Sequence, residues 1–253
     1  MPDLDDAPAT TPQPRLRPGR STLPRHAARA RYVEIGEVVA LEQIKTDSEA
    51  LDAGTVAIGP FARLDANAVA ARDGKTRGVI TNLFGSQAAF QAETMALALS
   101  ATDLIEQIEF PRPEHHPTAG EWVDALFAGE AARGPRHGAD PAGGYAALWT
   151  LWLSAVPYGL WSETVAGPSV DENRAWMARL EAVFREAIDH YGMSLRTGTT
   201  VADLAVAAAG LVEGLWLNQC LTTRHPTDPS EPIETAMLRS GRLLWNGATV
   251  PPT

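Results

Sequence analysis

The polar residues of a short stretch, residues 75–86, have side chains suited to hydrogen bonding with a nucleic acid. These side chains are Lys75, Thr76, Arg77, Thr81, Asn82 and Ser86. An arginine can pair with guanine and an asparagine with adenine in the major groove, so Arg77 and Asn82 are candidates for base contacts. Lys75, Thr76 and Ser86 suit phosphate oxygens, which position a protein on the duplex. The chemistry predicted for this stretch is therefore DNA recognition.

These side chains require a turn followed by a short helix to present them. Gly74 can take the positive φ of a sharp corner between helices. Thr76 is then predicted to cap a new helix through its hydroxyl. One face of that helix is apolar at helical spacing, with Val79, Ile80, Leu83 and Phe84. Gly85 is predicted to end the helix and Ser86 to cap the next one.

Residues 69–90 resemble the helix-turn-helix of tetracycline-repressor (TetR) family regulators. The spacing of that motif fits Gly74, Gly78, Phe84 and Ser86 without a gap. The resemblance implies a DNA-binding domain over residues 29–92, with Gly78 on the DNA-contacting helix. Two positions differ, because the family usually has an aromatic phosphate contact at Thr81 and a lysine at Gln87. The alternative is an ordinary helical hairpin.

The first 28 residues are rich in proline and polar residues and offer little apolar surface, so we expect them to be disordered when free. A set of arginines occupies this segment and the predicted start of the first helix: Arg15, Arg17, Arg20, Arg25, Arg29 and Arg31. A flexible basic arm could lie along phosphates or in a minor groove. We predict DNA contacts from Arg25, Arg29 and Arg31; the alternative is a solvated linker.

The net charge of −10 argues at first against a nucleic-acid partner. Residues 1–100, however, contain 11 basic and 12 acidic side chains, so most of the negative charge lies in the second part of the chain. The single cysteine, Cys220, excludes an intrachain disulfide and a cysteine zinc cluster. The N-terminal segment lacks an apolar signal sequence, which predicts a cytoplasmic protein.

Residues 93–253 are predicted to form a helical domain for effector binding and dimerisation. Its most aromatic segment, residues 145–161, combines helical periodicity with polar-tipped rings that suit a largely apolar cavity. The resemblance implies an effector pocket here, and we predict its lining to include Trp122, Tyr145, Trp149, Trp152, Tyr158, Trp161 and Trp176. The expected effector is a mostly apolar small molecule.

Two apolar helices predicted near residues 200–223 and 233–245 resemble the pair with which TetR regulators form a four-helix dimer interface. The residues predicted at that interface are Leu204, Ala208, Leu211, Leu215, Ile233, Met237 and Leu244. Two such helices carry more apolar surface than one end of a monomer can bury. A two-fold homodimer would place two recognition helices about one DNA turn apart.

The sequence therefore predicts an all-α, ligand-responsive DNA-binding transcriptional regulator, with a repressor as the leading hypothesis. The alternative is a helical ligand-binding or interaction protein of the same fold with degenerate DNA binding. An enzyme is not favoured, because no nucleophile elbow or phosphate-cradling glycine loop is present. No cofactor is predicted. No metal site is predicted either, since the adjacent His115 and His116 lack the spacing of a recognised site.

Overall fold

The computed structural model describes residues 23–54, 58–62, 64–100, 108–134, 144–225 and 227–252. These residues form an almost entirely α-helical protein, which confirms the predicted fold class. The helices are α1 (Arg25–Asp52), α2 (Ala66–Arg72), α3 (Gly78–Phe84), α4 (Gln87–Ser100), α5 (Ala119–Arg133), α6 (Gly144–Gly159), α7 (Glu163–His190), α8 (Val201–Leu221) and α9 (Ile233–Ala248). A 3₁₀ turn covers Pro113–His115, and strands β1 (Ser194–Leu195) and β2 (Thr249–Val250) pair antiparallel.

The apolar side chains of the described residues form two clusters. The N-terminal cluster packs α1 to α4 around buried residues such as Leu64, Ile80 and Phe90. The C-terminal cluster packs α5 to α9 around buried residues such as Trp122 and Leu204. Helix α6 contributes to both clusters, so the two parts of the protein share one helix.

Several helix boundaries differ from the sequence predictions. The apolar spacing after Ala28 predicts a first helix that starts near that residue, whereas α1 begins at Arg25, directly after Pro24. The amphipathic pattern of residues 171–191 predicts a helix start at Asp171, whereas α7 begins eight residues earlier, at Glu163, and continues through Pro168. Pro168 lies in the second turn of α7 and does not end the helix.

Polar side chains define the starts of several helices. Asp65 accepts a hydrogen bond from the Asn67 amide at the start of α2 (3.2 Å). Helix α8 begins with a capping box in which Thr200 and Asp203 each bond the other's backbone amide, at 3.1 and 2.8 Å. These bonds satisfy amides that have no partner within the helix.

Candidate nucleic-acid interface and ligand cavity

Helix α3 buries its apolar side and exposes its polar side. Ile80, Leu83 and Phe84 are buried against the N-terminal cluster. The exposed set contains the predicted DNA contacts Lys75, Thr76, Arg77, Gly78, Thr81, Asn82 and Ser86. Among the described residues, neither Lys75 nor Arg77 has an ion-pair partner. The surface of α3 therefore offers two cations and several hydrogen-bonding groups to a partner.

The turn between α2 and α3 is stabilised by α1. Gly74 has a φ of 63°, as the sequence predicted for a sharp corner. The Tyr32 hydroxyl donates to Asp73 Oδ2 at 2.8 Å, and Arg31 forms an ion pair with the same carboxylate. Hydrogen bonding from Tyr32 lowers the pKa of Asp73. Burial, followed by the bond to Asp73, raises the pKa of Tyr32 to about 12.

One of the two predicted caps is present at the ends of α3. Ser86 Oγ accepts from the Ala89 amide at 3.0 Å and caps α4, as predicted. The Thr76 hydroxyl does not cap α3, so that prediction was wrong. Arg77 occupies the N-cap without a side-chain bond, and the backbone carbonyl of Thr76 accepts from the Val79 amide at 3.0 Å.

Arg25 and Arg29 of α1 contact the recognition helix, and Arg31 contacts Asp73 at the turn before it. Arg25 donates to the carbonyl oxygens of Asn82 and Leu83 at 3.2 and 3.3 Å. Arg29 donates to the Leu83 carbonyl at 2.5 Å. Arg31 is bonded to Asp73 as described above. Arg15, Arg17 and Arg20 lie outside the described residues, and the basic arm stays a prediction.

These contacts have a clear physical cause. The last carbonyls of a helix have no intrahelical partners, and the dipole favours cations at that end. Arg25 and Arg29 supply both the missing donors and the positive charge to α3. Arg25 and Arg29 therefore have a structural role at the end of α3, and their contact with DNA stays a prediction.

Gln87 has a structural role at a position where TetR family regulators usually have a lysine. Its side-chain oxygen accepts from the Ala66 amide at 2.9 Å, and its amide nitrogen donates to the Leu64 carbonyl. Gln91 donates to the same carbonyl at 3.2 Å. A lysine could donate but could not accept, because an ammonium has no lone pair. Gln87 thus joins the starts of α2 and α4.

A cavity of about 420 Å³ lies among the ends and faces of α4 to α8. Its aromatic walls include Phe110, Trp149, Trp152, Trp176, Phe184 and Trp216. Trp152 stacks on Trp149 with ring centroids 4.8 Å apart, and Trp216 meets Trp149 edge-on at 4.9 Å. The volume and the apolar lining are typical of a small-molecule site.

The cavity includes three of the seven residues predicted to line it: Trp149, Trp152 and Trp176. Trp122 is fully buried in the core, where its indole donates to the Pro111 carbonyl at 2.9 Å. Tyr158 and Trp161 are exposed at the end of α6, Trp161 to 78%. The Tyr145 side chain lies outside the described residues. Aromatic composition alone did not distinguish core, surface and cavity positions.

Two carboxylates line the cavity, and no basic side chain is among its lining residues. Burial raises the pKa of Glu130, and its ion pair with Arg133 opposes that shift. Burial also raises the pKa of Glu213, although much of its side chain remains exposed at the edge of the cavity. No ion-pair partner of Glu213 is present among the described residues. Both ionisable side chains that line the cavity are therefore acidic.

The predicted dimer residues divide into core and partly exposed positions. Leu204, Ala208, Ile233 and Met237 are buried inside the protomer, so they cannot contact a second copy. Leu211, Leu215 and Leu244 are partly buried and pack on the same cluster. The exposed apolar residues of these helices are Val206, Leu217, Leu221 and Leu243. Helical periodicity identified apolar residues but not which side of α8 faces the core.

Helix α8 is long and apolar enough to cross a membrane by length and composition alone. One side of this helix, however, packs in the C-terminal cluster through Leu204, Ala205 and Trp216. The opposite side, with Val206 and Leu217, is exposed in the protomer. The apolar character of α8 is therefore spread over two sides, one packed in the core and one exposed.

Comparison with known proteins agrees with the helical fold. The profile of the BetI-type transcriptional repressor C-terminal domain matches residues 111–239, just over half of the chain. No curated protein matches the chain. A structure assigned as a transcriptional regulator of Pseudomonas aeruginosa PAO1 is similar, with 16% identity, a TM-score of 0.51 and coverage of 90% of this chain and 92% of that one. This likeness supports the fold.

Two further solved structures are more distant. A TetR-family regulator from Rhodococcus sp. has 14% identity and a TM-score of 0.46, covering 83% of this chain and 98% of that one. A regulator from Saccharomonospora viridis, solved with choline, has 16% identity and a TM-score of 0.49, covering 89% and 99%. The matched family consists of transcriptional regulators rather than enzymes. The chain belongs to the TetR family of DNA-binding transcriptional regulators.

Proposed function

We propose that this protein is a homodimeric repressor that a mostly apolar small molecule releases from its operator. The observation that carries the proposal is the position of α6 between the cavity and the DNA-reading part of the protein, which consists of α1 to α4. Trp149 and Trp152 of α6 line the cavity, whereas Leu151 and Ala155 pack in the N-terminal cluster. A molecule in the cavity therefore contacts a helix on which the DNA-reading part is packed.

Helix α4 provides a second connection. Leu99 and Ser100 at its end line the cavity, while Phe90 and Ala98 pack in the N-terminal cluster. A ligand can shift the protein between two arrangements only if it binds them with different affinity. Release of DNA requires that the effector favour an arrangement of α4 and α6 in which the two reading helices no longer fit one operator.

The proposed DNA contacts are the exposed groups on and around α3. Arg77 and Asn82 would read bases, while Lys75, Thr76, Thr81 and Ser86 would bind the backbone. Gly78 has no side chain, so the helix backbone can approach the duplex closely at that point. Arg25, Arg29 and Arg31 are left out of this set because they already bond to the protein.

The proposed dimer face consists of Val206, Leu217 and Leu221 of α8 with Leu243 of α9. All four side chains are exposed in the protomer. Pairing this face with its copy would bury apolar surface and create the two-fold symmetry usual for DNA-binding dimers. Such a dimer would match two half-sites about 34–36 Å apart. A cytoplasmic location follows from binding to an operator.

The proposed effector is apolar, with a neutral or positively charged polar group. Aromatic walls favour apolar and cationic groups. Glu213 would repel an anion, because it faces the cavity without a described cation partner.

Selection of genomic fragments by the purified full-length protein, with and without candidate compounds, tests the proposal. We expect retention of a two-fold symmetric sequence and its release by an apolar compound. Arg77→Ala should weaken operator binding and relax one base preference, by about 1–3 kcal/mol. Arg185→Ala, which removes an exposed arginine of α7, is the matched control. Uniform weak retention of all fragments would instead support the degenerate DNA-binding alternative.

A further inference from the structure

We propose that the ion pair between Arg29 and Glu93 is a positioning contact through which α4 sets the placement of the recognition helix. Arg29 acts here through α3 and does not itself contact DNA. The DNA-reading role of α3 follows from the family. The further step, transmission of an effector signal through this pair, rests on the proposed function.

Arg29 joins three parts of the N-terminal cluster with one guanidinium group. One nitrogen donates to the Leu83 carbonyl at the end of α3, at 2.5 Å. Another forms the ion pair with Glu93 of α4. The guanidinium carbon lies 4.7 Å above the centre of the Phe84 ring. The forked, planar group is what allows one side chain to bond both helices at once.

The surroundings of the pair make it stronger than a fully exposed one. The Arg29 and Glu93 side chains keep 34% and 29% of their surfaces exposed, so both are partly shielded from water. Exposed ion pairs contribute little because water and salt screen them. The Phe84 ring beneath the Arg29 guanidinium packs in turn on Phe90, with ring centroids 5.1 Å apart.

Helix α3 depends on such contacts because it is short. It has seven residues, and isolated helices of that length are not stable in water. Its position is therefore set by what holds its two ends. Asp73 is bonded by α1 at the N-terminal side, and Leu83 is bonded by Arg29 at the C-terminal side.

Helix α4 extends from this contact to the cavity. Glu93 precedes Leu99 by six residues, which corresponds to about 9 Å along a helix. Leu99 and Ser100 line the cavity. A displacement of α4 by a bound molecule would reach Glu93 and, through Arg29, the end of α3. The ion pair thus links the cavity wall to the reading helix in two steps.

The alternative role for Arg29 is a phosphate contact that Glu93 weakens by competition. The two roles predict opposite results for Glu93→Gln. If Arg29 binds phosphate, the substitution frees the guanidinium, so DNA affinity rises and the slope of log affinity against log salt steepens by about one unit. If Arg29 positions α3, affinity falls and the slope stays unchanged.

The experiment compares full-length wild type with Glu93→Gln, Arg29→Lys and the control Glu34→Gln. Glu34 is exposed on α1, so its substitution removes the same charge from the same part of the protein. We expect Glu93→Gln to weaken binding to the selected operator fragment about tenfold, in the range of typical coupling effects. Glu34→Gln should bind as tightly as wild type or slightly tighter, because it removes a negative charge.

Hydrogen exchange measured by mass spectrometry provides a readout that needs no operator. Amides of residues 78–84 should exchange faster in Glu93→Gln and in Arg29→Lys than in Glu34→Gln, while α5 exchanges as in wild type. Arg29→Lys keeps the charge but cannot hold Leu83 and Glu93 together. It supplies the test if Glu93→Gln does not fold.

Tighter DNA binding with a steeper salt slope in Glu93→Gln would overturn the inference, as would unchanged exchange of residues 78–84. Equal effects of Glu93→Gln and Glu34→Gln would also overturn it. Failure of the proposed function has a different signature, because wild type would then retain no fragment selectively while the exchange difference in α3 persists.

Discussion

Replacement of Gly36 by alanine should destabilise the DNA-reading part, because α1 and α4 touch at this glycine. A Cβ atom at position 36 would lie 2.8 Å from Thr94 Oγ1 and 2.9 Å from Phe90 Cζ. Carbon atoms normally approach to about 3.5–4.0 Å. Phe90 and Thr94 are both fully buried, and Thr94 Oγ1 donates to the Phe90 carbonyl at 3.1 Å. Neither neighbour can yield without disturbing the cluster.

Two opposing effects determine the size of the change. Alanine in a helix is more favourable than glycine by about 0.5–1 kcal/mol. Overpacking of a well-packed core costs about 1–3 kcal/mol. The net expectation is a loss of roughly 0.5–2 kcal/mol in the free energy of unfolding. Gly247→Ala is the control, because a Cβ there meets nothing within 4 Å. It should leave stability unchanged or raise it by up to about 1 kcal/mol.

Urea denaturation followed by circular dichroism at 222 nm measures both variants, and operator binding measures the functional consequence. Displacement of α4 from α1 should also weaken DNA binding in Gly36→Ala, since α4 supports α3. If Gly36→Ala were as stable as Gly247→Ala and bound DNA normally, the close contact between α1 and α4 would not constrain the protein as argued.

Three further changes test other parts of the structure. Leu217→Glu on the proposed dimer face should shift a dimer to monomer in light scattering, whereas Leu160→Glu, on an exposed turn, should not. The raised pKa of Tyr32, about 12, contributes stability that is present below about pH 10 and lost as pH rises through about 12. Tyrosinate absorbance should therefore show a late step that Tyr32→Phe removes. Gly241→Ala should destabilise the C-terminal part by about 1–3 kcal/mol in a tryptophan-fluorescence denaturation, because its Cβ would lie 2.2 Å from the Phe127 ring; stability equal to wild type would contradict the packing.

The recognition unit was largely predictable because its features are local. The positive φ of Gly74, the buried side of α3 and the Ser86 cap each depend on residues within a few positions of one another. The role of the α1 arginines was not predictable in this way. Arg25 and Asn82 are 57 residues apart in sequence, and nothing in either neighbourhood identifies the other as its partner.

The cavity was predictable only in part. Trp149 and Trp152 were identified from the aromatic segment, but Trp216 and Glu213 of α8 were missed. The sequence predicts a dimer face from the apolar residues of α8, whereas one side of the helix packs in the core and lines the cavity. A helix with apolar residues on two sides gives no indication of which neighbour covers each side.

From the sequence alone, one could determine where most helices form, which residues cap some of them, and that the face around Arg77 and Asn82 is polar. These properties depend on spacing along one helix and on short-range hydrogen bonds. Tertiary structure decided which apolar faces meet, that Arg29 bonds α3 and α4 instead of extending to solvent, and that Trp122 belongs to the core. Periodicity defines the direction of a side chain from its own helix axis, but the atoms opposite it come from distant parts of the chain.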